Sequence, residues 1–416
     1  LLTGYRGFES RSHRTFGAWR SPVSAPGLGP GGRRFESCRP DQEVCSLSKP
    51  LFYLIKLYLP IFFLSYRSKI LTVKISNSLM KLHVIPHRYE YHVPFQISRE
   101  KRTHQEALLI GLEYKGIIGW GELTSNAYYG VSSSVAQKQI EDQRTLIQDL
   151  IPEHPQSLYP KWQSLFGQNS FIRCALDEAS WDLYGKINEK STSALLGLEA
   201  TTKLTSCFTL GIDDTAKVLE SVIKNPWPIY KMKMGALINV DLLEELRELT
   251  NAKIYIDANA AWSIAGAIQM IPKIVQRGVS LIEQPLAVED NTSMKDLKDR
   301  FETPFIADES FNDASDLSLC VANFDGINVK LQKAGGISPA KDIIDKAKRQ
   351  GLKIMLGCMT ESSVGLSAAS QLVTLADFVD LDSMLLIKND PAVGLKLESN
   401  RITLSQLNGN GVYVDF

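Results

Sequence analysis

The sequence predicts an α/β protein: a TIM-like barrel of parallel strands and helices, preceded by a smaller α+β unit. Three observations predict it. Short apolar runs carry or end in a chemically capable residue: Lys233 in IYKMKMG, Asp257 in KIYID, Glu283 in VSLIE, Asp308 in PFIAD, Lys330 in GINVK and Asp382 in FVDLD. The gaps between these residues are 24, 26, 25 and 22, each the length of a strand, a loop, a helix and a loop, and the last gap of 52 spans two such units with IMLG between them. The segments between the runs have helical apolar spacing. Parallel strands with polar C-terminal ends describe a barrel whose active site lies at those ends.

The 416 residues are 44% hydrophobic and 22% charged, enough for a barrel and one smaller domain. Lys and Arg total 46 and so do Asp and Glu, which gives no pointer to a nucleic-acid or membrane-surface partner. Six cysteines at 38, 45, 174, 207, 320 and 358 are scattered without a CxxC, which suits reduced thiols in the cytoplasm.

Residues 1–79 read as foreign to the rest. Residues 1–50 are rich in Arg, Gly, Ser and Pro and hold a near-repeat, Gly7-Phe8-Glu9-Ser10-Arg11 and Arg34-Phe35-Glu36-Ser37-Cys38. Phe-Glu-Ser is the translation of a T-arm stretch of tRNA genes, and the two copies stand 27 codons apart, about one such gene and a spacer. Residues 51–65 (LFYLIKLYLPIFFLS) are apolar but interrupted by Lys56 and Pro60, and no small-residue cleavage site follows. The expectation is translated tRNA-gene and intergenic sequence, with Met80 as the start; an N-terminal anchor is the competing reading. Mass spectrometry of the mature N-terminus separates the two.

From Met80 the elements follow in order. Residues 82–95, 106–116 and 117–123 alternate apolar and polar and read as an antiparallel meander, with Gly116 at a tight turn. Residues 134–150 and 171–188 read as helices, the second from Ile172, Ala175, Leu176, Ala179 and Leu183. This α+β domain spans 80–200. The barrel spans 201–388, with strands at 205–210, 229–234, 253–257, 279–283, 305–308, 326–330, 353–357 and 378–382. Helices are expected at 241–249, 263–276, 293–300, 316–321, 338–350 and 363–375, with Ser338 as the N-cap and Pro339 in the first turn of the fifth. Residues 389–416 form a last segment, with a turn at 408–411, that returns to the first domain.

The strand-end residues suggest chemistry. One carboxylate at a strand end reads as a loop cap. Asp257, Glu283 and Asp308 at successive ends repel one another across the mouth unless a cation neutralises them. All-oxygen donors select Mg²⁺, with Mn²⁺ as the alternative, and the lack of neighbouring His or Cys argues against zinc. Lys231 and Lys233 share one face of their strand, and Met232 and Met234 take the other. Lys330 lies four strands on, opposite in an eight-strand ring. A divalent cation and a second lysine disfavour protonation and poise a lysine as a base. A metal-bound carboxylate substrate flanked by two lysines suits proton transfer at the α-carbon, hence epimerisation.

KMK (231–233), IDANAAW (256–262), IEQPL (282–286), IADES (306–310) and NVKLQKAGG (328–336) resemble, in order, the muconate-lactonising subgroup of the enolase superfamily. A lysine base with Mg²⁺ is an established pattern of that superfamily. The resemblance spans 80–416 and implies an α+β cap on a (β/α)₇β barrel. It implies Mg²⁺ held by Asp257, Glu283 and Asp308, Lys233 and Lys330 as acid/base pair, and Lys231 beside the substrate carboxylate. Asn259 and Glu309 match supporting positions. Asp380 and Asp382 resemble the DxD of dipeptide epimerases, which receives the substrate's ammonium; a free ammonium needs anionic partners. Side-chain selection would fall to the loops 96–104, with Arg99 or Arg102, and 125–131, with Tyr128 and Tyr129. The strand end Cys358-Met359-Thr360 would line the same pocket. The implied activity is epimerisation of L-Ala-D/L-Glu from murein peptides. Epimerisation of hydrophobic dipeptides, N-acylamino-acid racemase, o-succinylbenzoate synthase or muconate cycloisomerase activity, and a non-catalytic metal-binding descendant are the alternatives. Homo-oligomers are common in the family.

Overall fold

The computed structural model describes residues 80–415 apart from 97–100, 200–202, 237–238 and 399–400. The readings of residues 1–79, the apolar run 51–65 and Arg99 lie outside the described residues.

The chain opens with an antiparallel meander of β1 (Lys81–Gln96), β2 (Lys101–Tyr114) and β3 (Ile117–Thr124). Lys115 and Gly116, both at positive φ (52° and 81°), make the turn between β2 and β3, where glycine relieves the backbone. Four helices follow: α1 (Ser133–Asp142), α2 (Arg144–Gln148), α3 (Pro155–Phe166) and α4 (Ser170–Ile187). β3 lies directly on α4, because Gly119 and Gly121 leave no Cβ between the strand and the carbonyls of Ala179 and Ala175. Leu108, Ile110, Trp162, Phe171 and Leu176 are among the side chains that close this core.

After the short α5 (Thr192–Leu195) and β4 (Lys203–Leu204) come eight parallel strands: β5 (Phe208–Leu210), β6 (Ile229–Lys233), β7 (Lys253–Asp257), β8 (Val279–Glu283), β9 (Phe305–Ala307), β10 (Gly326–Lys330), β11 (Lys353–Gly357) and β12 (Phe378–Asp380). They pair strictly in chain order. The Cys207 amide donates to the Val379 carbonyl at 3.0 Å, so the first strand also meets the last. The helices between them are α6 (Thr215–Lys224), α7 (Val240–Leu249), α8 (Ile264–Gln276), α9 (Asn291–Arg300), α10 (Leu317–Asn323), α11 (Leu331–Ala334), α12 (Ile337–Arg349) and α13 (Ser363–Ser370). One large core lies between strands and helices, and Cys207, Tyr255, Leu281, Ile306 and Met355 form a separate cluster.

The tail forms β13 (Ala392–Val393), β14 (Lys396–Glu398), β15 (Arg401–Thr403) and β16 (Tyr413–Val414). Val412 and Val414 pack with Leu109 and Trp120 of the meander, and the Asn410 amide donates to Asp182 on α4 at 2.7 Å.

Several elements depart from the sequence reading. The helix expected over 134–150 breaks at Gln143 into α1 and α2, and α3 and α6 were not anticipated. Residues 101–104 continue β2 rather than forming a loop, since Arg102 pairs with Phe95. The N-cap of helix α12 is Gly336, two residues before the expected Ser338, and Ser338 instead donates through its amide and hydroxyl to Asp177, both at 2.8 Å. A buried carboxylate from α4 thus takes over the capping role predicted for Ser338. The last barrel strand, expected over 378–382, stops at Asp380, so Asp382 lies in the following turn.

Candidate active site

Strand register brings the polar ends together. Lys233 pairs with Asp257 and Asp257 with Glu283, so these three form a row across β6, β7 and β8. On the other side Lys330 pairs with Gly357 and Gly357 with Asp380, a row across β10, β11 and β12. Asp308 stands one residue beyond β9. Met232, on the opposite face of β6 to the lysines, and Met234, one residue beyond the strand, are buried in the core between strands and helices.

The loops after β7 and β8 are zipped together. The amides of Ala258, Ala260 and Trp262 donate to the carbonyls of Glu283, Gln284 and Pro285. Asn259 and Ala260 hold positive φ (46° and 62°), a conformation that costs an L-residue roughly 1–2 kcal/mol and that this lattice of hydrogen bonds maintains. The buried Gln284 side chain accepts from the amides of Asp308 and Ser310, both at 3.0 Å, and so ties the end of β8 to the end of β9.

Within this frame the three carboxylates share one arrangement. Each has one oxygen tied to the scaffold and the other turned to an ammonium. Asp257 Oδ1 accepts from the Asn259 amide at 2.9 Å, Glu283 Oε1 from Asn328 Nδ2 at 2.8 Å, and Asp308 Oδ1 from Lys333 Nζ at 2.7 Å. Asp257 Oδ2 lies 2.5 Å from Lys233 and 3.1 Å from Lys231, Glu283 Oε2 lies 2.6 Å from Lys231, and Asp308 Oδ2 lies 2.8 Å from Lys330. Glu283 Oε2, though buried and within ion-pair reach of Lys231, makes no aligned hydrogen bond. The all-oxygen donor set of Asp257, Glu283 and Asp308, each with one oxygen answered by a lysine, fits a hard divalent ion such as Mg²⁺, although the three do not gather within 4.8 Å of one another; among the described residues Cys207, Asp380 and Asp382 do.

The electrostatics follow from burial and these pairs. Burial works to raise the Asp257 carboxyl, but Lys231 and Lys233 outweigh it and hold it well below the ordinary range. Burial and the neighbouring Asp257 push Glu283 up to about 7. Asp308 is held low: burial opposes this, and Lys330 and Lys333 prevail. Lys330 departs from the sequence expectation of a lysine whose protonation is disfavoured. Burial does lower it, but Asp308, Tyr129 and Glu283 outweigh burial and hold it protonated. The expectation assumed that the lysine faces a cation, whereas here it faces a carboxylate.

Across the mouth, Lys231, only 2% exposed, also reaches Asp380 Oδ2 at 2.6 Å. Asp380 Oδ1 accepts from the Cys207 thiol, and Asp382 Oδ2 accepts from the Thr209 amide at 2.6 Å. Burial opposes the lowering of Asp380, which Lys231 brings about; burial and Asp380 raise Asp382 to about 7.

Of the residues predicted from sequence, Arg102, Tyr129, Lys231, Lys233, Asn259, Asp308, Glu309, Lys330, Cys358, Met359, Thr360, Asp380 and Asp382 line a single cavity. Asp257 and Glu283 are fully buried and reach it through the lysines they contact. Gln105, Tyr91, Thr209 and Leu386 also line it and were not anticipated. Nor were Asn328, Gln284 and Lys333, which hold the carboxylates. Asn328 had a signal, standing two residues before Lys330 on the same strand face.

Comparisons agree with this architecture. Residues 79–197 match the mandelate racemase / muconate lactonizing enzyme N-terminal domain, and residues 214–415 match the enolase C-terminal domain-like family. An L-Ala-D/L-amino acid epimerase of Maribacter sp. is 39% identical over 286 residues, 69% of this chain and 85% of that protein. A dipeptide epimerase of Enterococcus faecalis, solved with Mg and L-Leu-L-Tyr, superposes with a TM-score of 0.75 at 25% identity, over 80% of this chain and 99% of that one. An enolase family member of Agrobacterium tumefaciens with homology to dipeptide epimerases, solved with sodium and L-Ala-L-Glu, superposes with a TM-score of 0.71 at 28% identity, over 79% of this chain and 98% of that one.

Proposed function

Because the chain belongs to the mandelate racemase / muconate lactonizing enzyme family of the enolase superfamily, we propose that it is a Mg²⁺-dependent dipeptide epimerase, an isomerase acting on L-Ala-D/L-Glu. The observation that carries the reading is a mouth with two sets of carboxylates joined through Lys231. In one set three carboxylates each turn one oxygen to a lysine. In the other, Asp380, which also contacts Lys231, and Asp382 line the cavity as a pair of carboxyl groups suited to an ammonium. A dipeptide carries a carboxylate and an ammonium at a fixed separation and answers both. N-acylated amino acids, o-succinylbenzoate and muconate lack the ammonium and would leave Asp382 with only the Thr209 amide as its partner.

Asp257, Glu283 and Asp308 would hold Mg²⁺, for which Mn²⁺ is a plausible chemical substitute. The bound ion would polarise the substrate carboxylate and favour the charge that develops when the α-proton leaves. Lys231 adds a positive charge beside that carboxylate. Lys233 removes the α-proton of the second residue from one face, and Lys330 delivers a proton to the other, four strands away around the ring. In the reverse direction the two exchange roles. Asn259 and Glu309 support the carboxylates, and Cys358, Met359 and Thr360 wall the pocket.

Arg102 selects the side chain. Among the described residues that line the cavity, it is the charge not already assigned to metal, proton transfer, ammonium or support, and Gln105 Oε1 accepts from its guanidinium at 3.0 Å. A cation there favours glutamate. A second reading, hydrophobic dipeptides, is favoured by Tyr91, Tyr128, Tyr129 and Leu386 in the same lining. Arg102→Met separates them: kcat/KM for L-Ala-L-Glu falls by about tenfold or more while L-Ala-L-Leu improves. Unchanged discrimination defeats the glutamate assignment.

We infer from this substrate class a role in turnover of murein peptides in the cytoplasm, a reading that the free cysteines among the described residues support. Among the described residues no helix is long and apolar enough to cross a membrane. We propose a division into a cap (80–200), a barrel (201–388) and a returning segment (389–416), and homo-oligomers by analogy with the family.

A further inference from the structure

The three anchors of the carboxylates differ in one respect. Asp257 is held by a backbone amide and Glu283 by an uncharged carboxamide, but Asp308 is held by a lysine. We propose that Lys333 is a positioning residue for the metal site: it clamps Oδ1 of Asp308 so that Oδ2 stays turned into the mouth. The inference rests on the reading of Asp257, Glu283 and Asp308 as metal ligands.

Lys333 cannot serve as a second acid or base. It is 4% exposed and is absent from the cavity lining. All three hydrogens of its ammonium are spent, on Asp308 Oδ1 at 2.7 Å, the Asp308 carbonyl at 2.7 Å and the Phe311 carbonyl at 2.6 Å. The two carbonyls fix the ammonium to the turn that follows β9, so the lysine grips both ends of the residue whose carboxylate it orients. The Phe311 ring lies beneath it, 5.8 Å from Nζ to centroid. Among the described residues Lys330, on the other oxygen, bonds to Asp308 Oδ2 at 2.8 Å and to no backbone carbonyl. An incoming cation can therefore displace Lys330 from Oδ2 without releasing Oδ1.

The lysine's own backbone is equally fixed. It sits in α11, one turn closed by the Gly335 and Gly336 amides on the Leu331 carbonyl at 2.7 and 2.9 Å. Helix α4 of the first domain presses on this turn: a Cβ at Gly336 would run into Asp177, which also receives Ser338. The chain from α4 through the glycine pair to Lys333 and Asp308 is continuous. A neutral donor would suffice to make the hydrogen bond. The charge is explained by the surroundings: Asp257, Glu283 and Asp308 lie within one buried cluster, and a fixed cation on the scaffold side offsets repulsion that a single divalent ion leaves in part.

The test is Mg²⁺ binding by isothermal titration calorimetry, with no substrate present, on the wild-type protein, Lys333→Met, Asp308→Asn and the double variant. Losing an oriented partner of a metal ligand weakens binding by about 10–100-fold, and the Kd of Lys333→Met should rise by that factor. In the Asp308→Asn background the same substitution should cost nothing further, because its effect passes through Asp308. A purely structural lysine would weaken binding equally in both backgrounds, and that result overturns the inference. A Kd within about twofold of wild type for Lys333→Met, with binding lost in Asp308→Asn, overturns it while leaving the metal site standing. Wild-type protein that binds no Mg²⁺ overturns both. Should Lys333→Met not fold, Lys333→Gln, which keeps a donor without the charge, is read in the same cycle and should also weaken binding by about tenfold.

Discussion

At the scale of single residues, the site is a set of carboxylates whose orientation is decided by what grips their far oxygens. The strand-end positions of Asp257, Glu283, Lys233 and Lys330 were legible because a period near 25 residues marks each βα unit. The grips were not legible. Asn328, Gln284 and Lys333 act across strands, and their partners are 45, 24 and 25 residues away. Two predictions belong here. Lys233→Ala and Lys330→Ala should each reduce kcat by about 10²–10⁴-fold, and each should abolish solvent exchange from one epimer only; equal exchange of both epimers would contradict opposed lysines. Asp382, raised to about 7 by burial and Asp380, binds an ammonium only as carboxylate. The KM for dipeptide should therefore fall as pH rises through about 7, then rise again as the substrate ammonium, with a pKa near 8, loses its proton. Asp382→Asn should remove the acidic limb and raise KM by about tenfold or more.

At the scale of elements, helix α4 and strand β3 join the first domain to the barrel through buried carboxylates. Asp177 caps the start of α12, while Asp182 ties α4 to β3 and to the returning segment by receiving the amides of Trp120 and Asn410. Glu122 of β3 accepts from the Tyr89 hydroxyl, the Ser362 amide and hydroxyl and the Gly365 amide at the start of α13. Periodicity identified α4 from its apolar residues, but it could not reveal that Asp177, Glu178 and Asp182 are fully buried too. A helix buried on all sides has no polar face to read. The same limit explains Ser338: the local pattern of an N-cap was sound, and a carboxylate from a distant helix displaced it. Glu122→Ala leaves two backbone amides and two hydroxyls without their acceptor, and should destabilise the fold by about 3 kcal/mol or more at about 1–3 kcal/mol per buried group. Urea unfolding measures this; a loss below about 1 kcal/mol would show that water replaces the carboxylate.

At the scale of the whole molecule, a barrel in chain order collects residues from seven of its eight strands' ends and following turns at one mouth, and the first domain covers it with Arg102, Tyr128 and Tyr129. The barrel was legible from strand-end chemistry, whereas the route of β1 and β2 past the mouth was not, because Arg102 belongs to a strand that the polar sequence around it disguises. Removing the metal should stop turnover without unfolding the protein, since lysines already neutralise the carboxylates in its absence. EDTA should abolish activity, Mg²⁺ should restore it, and circular dichroism should stay unchanged; activity that survives chelation would contradict the assignment of Asp257, Glu283 and Asp308. The most direct test of the central claim is deuterium exchange at the α-carbon of the second residue of L-Ala-L-Glu, with Mg²⁺ in D₂O, read by mass spectrometry and NMR. The account predicts that this carbon gains one deuteron as the L,D epimer forms. No exchange into any dipeptide, with exchange into N-acylated amino acids instead, would contradict it.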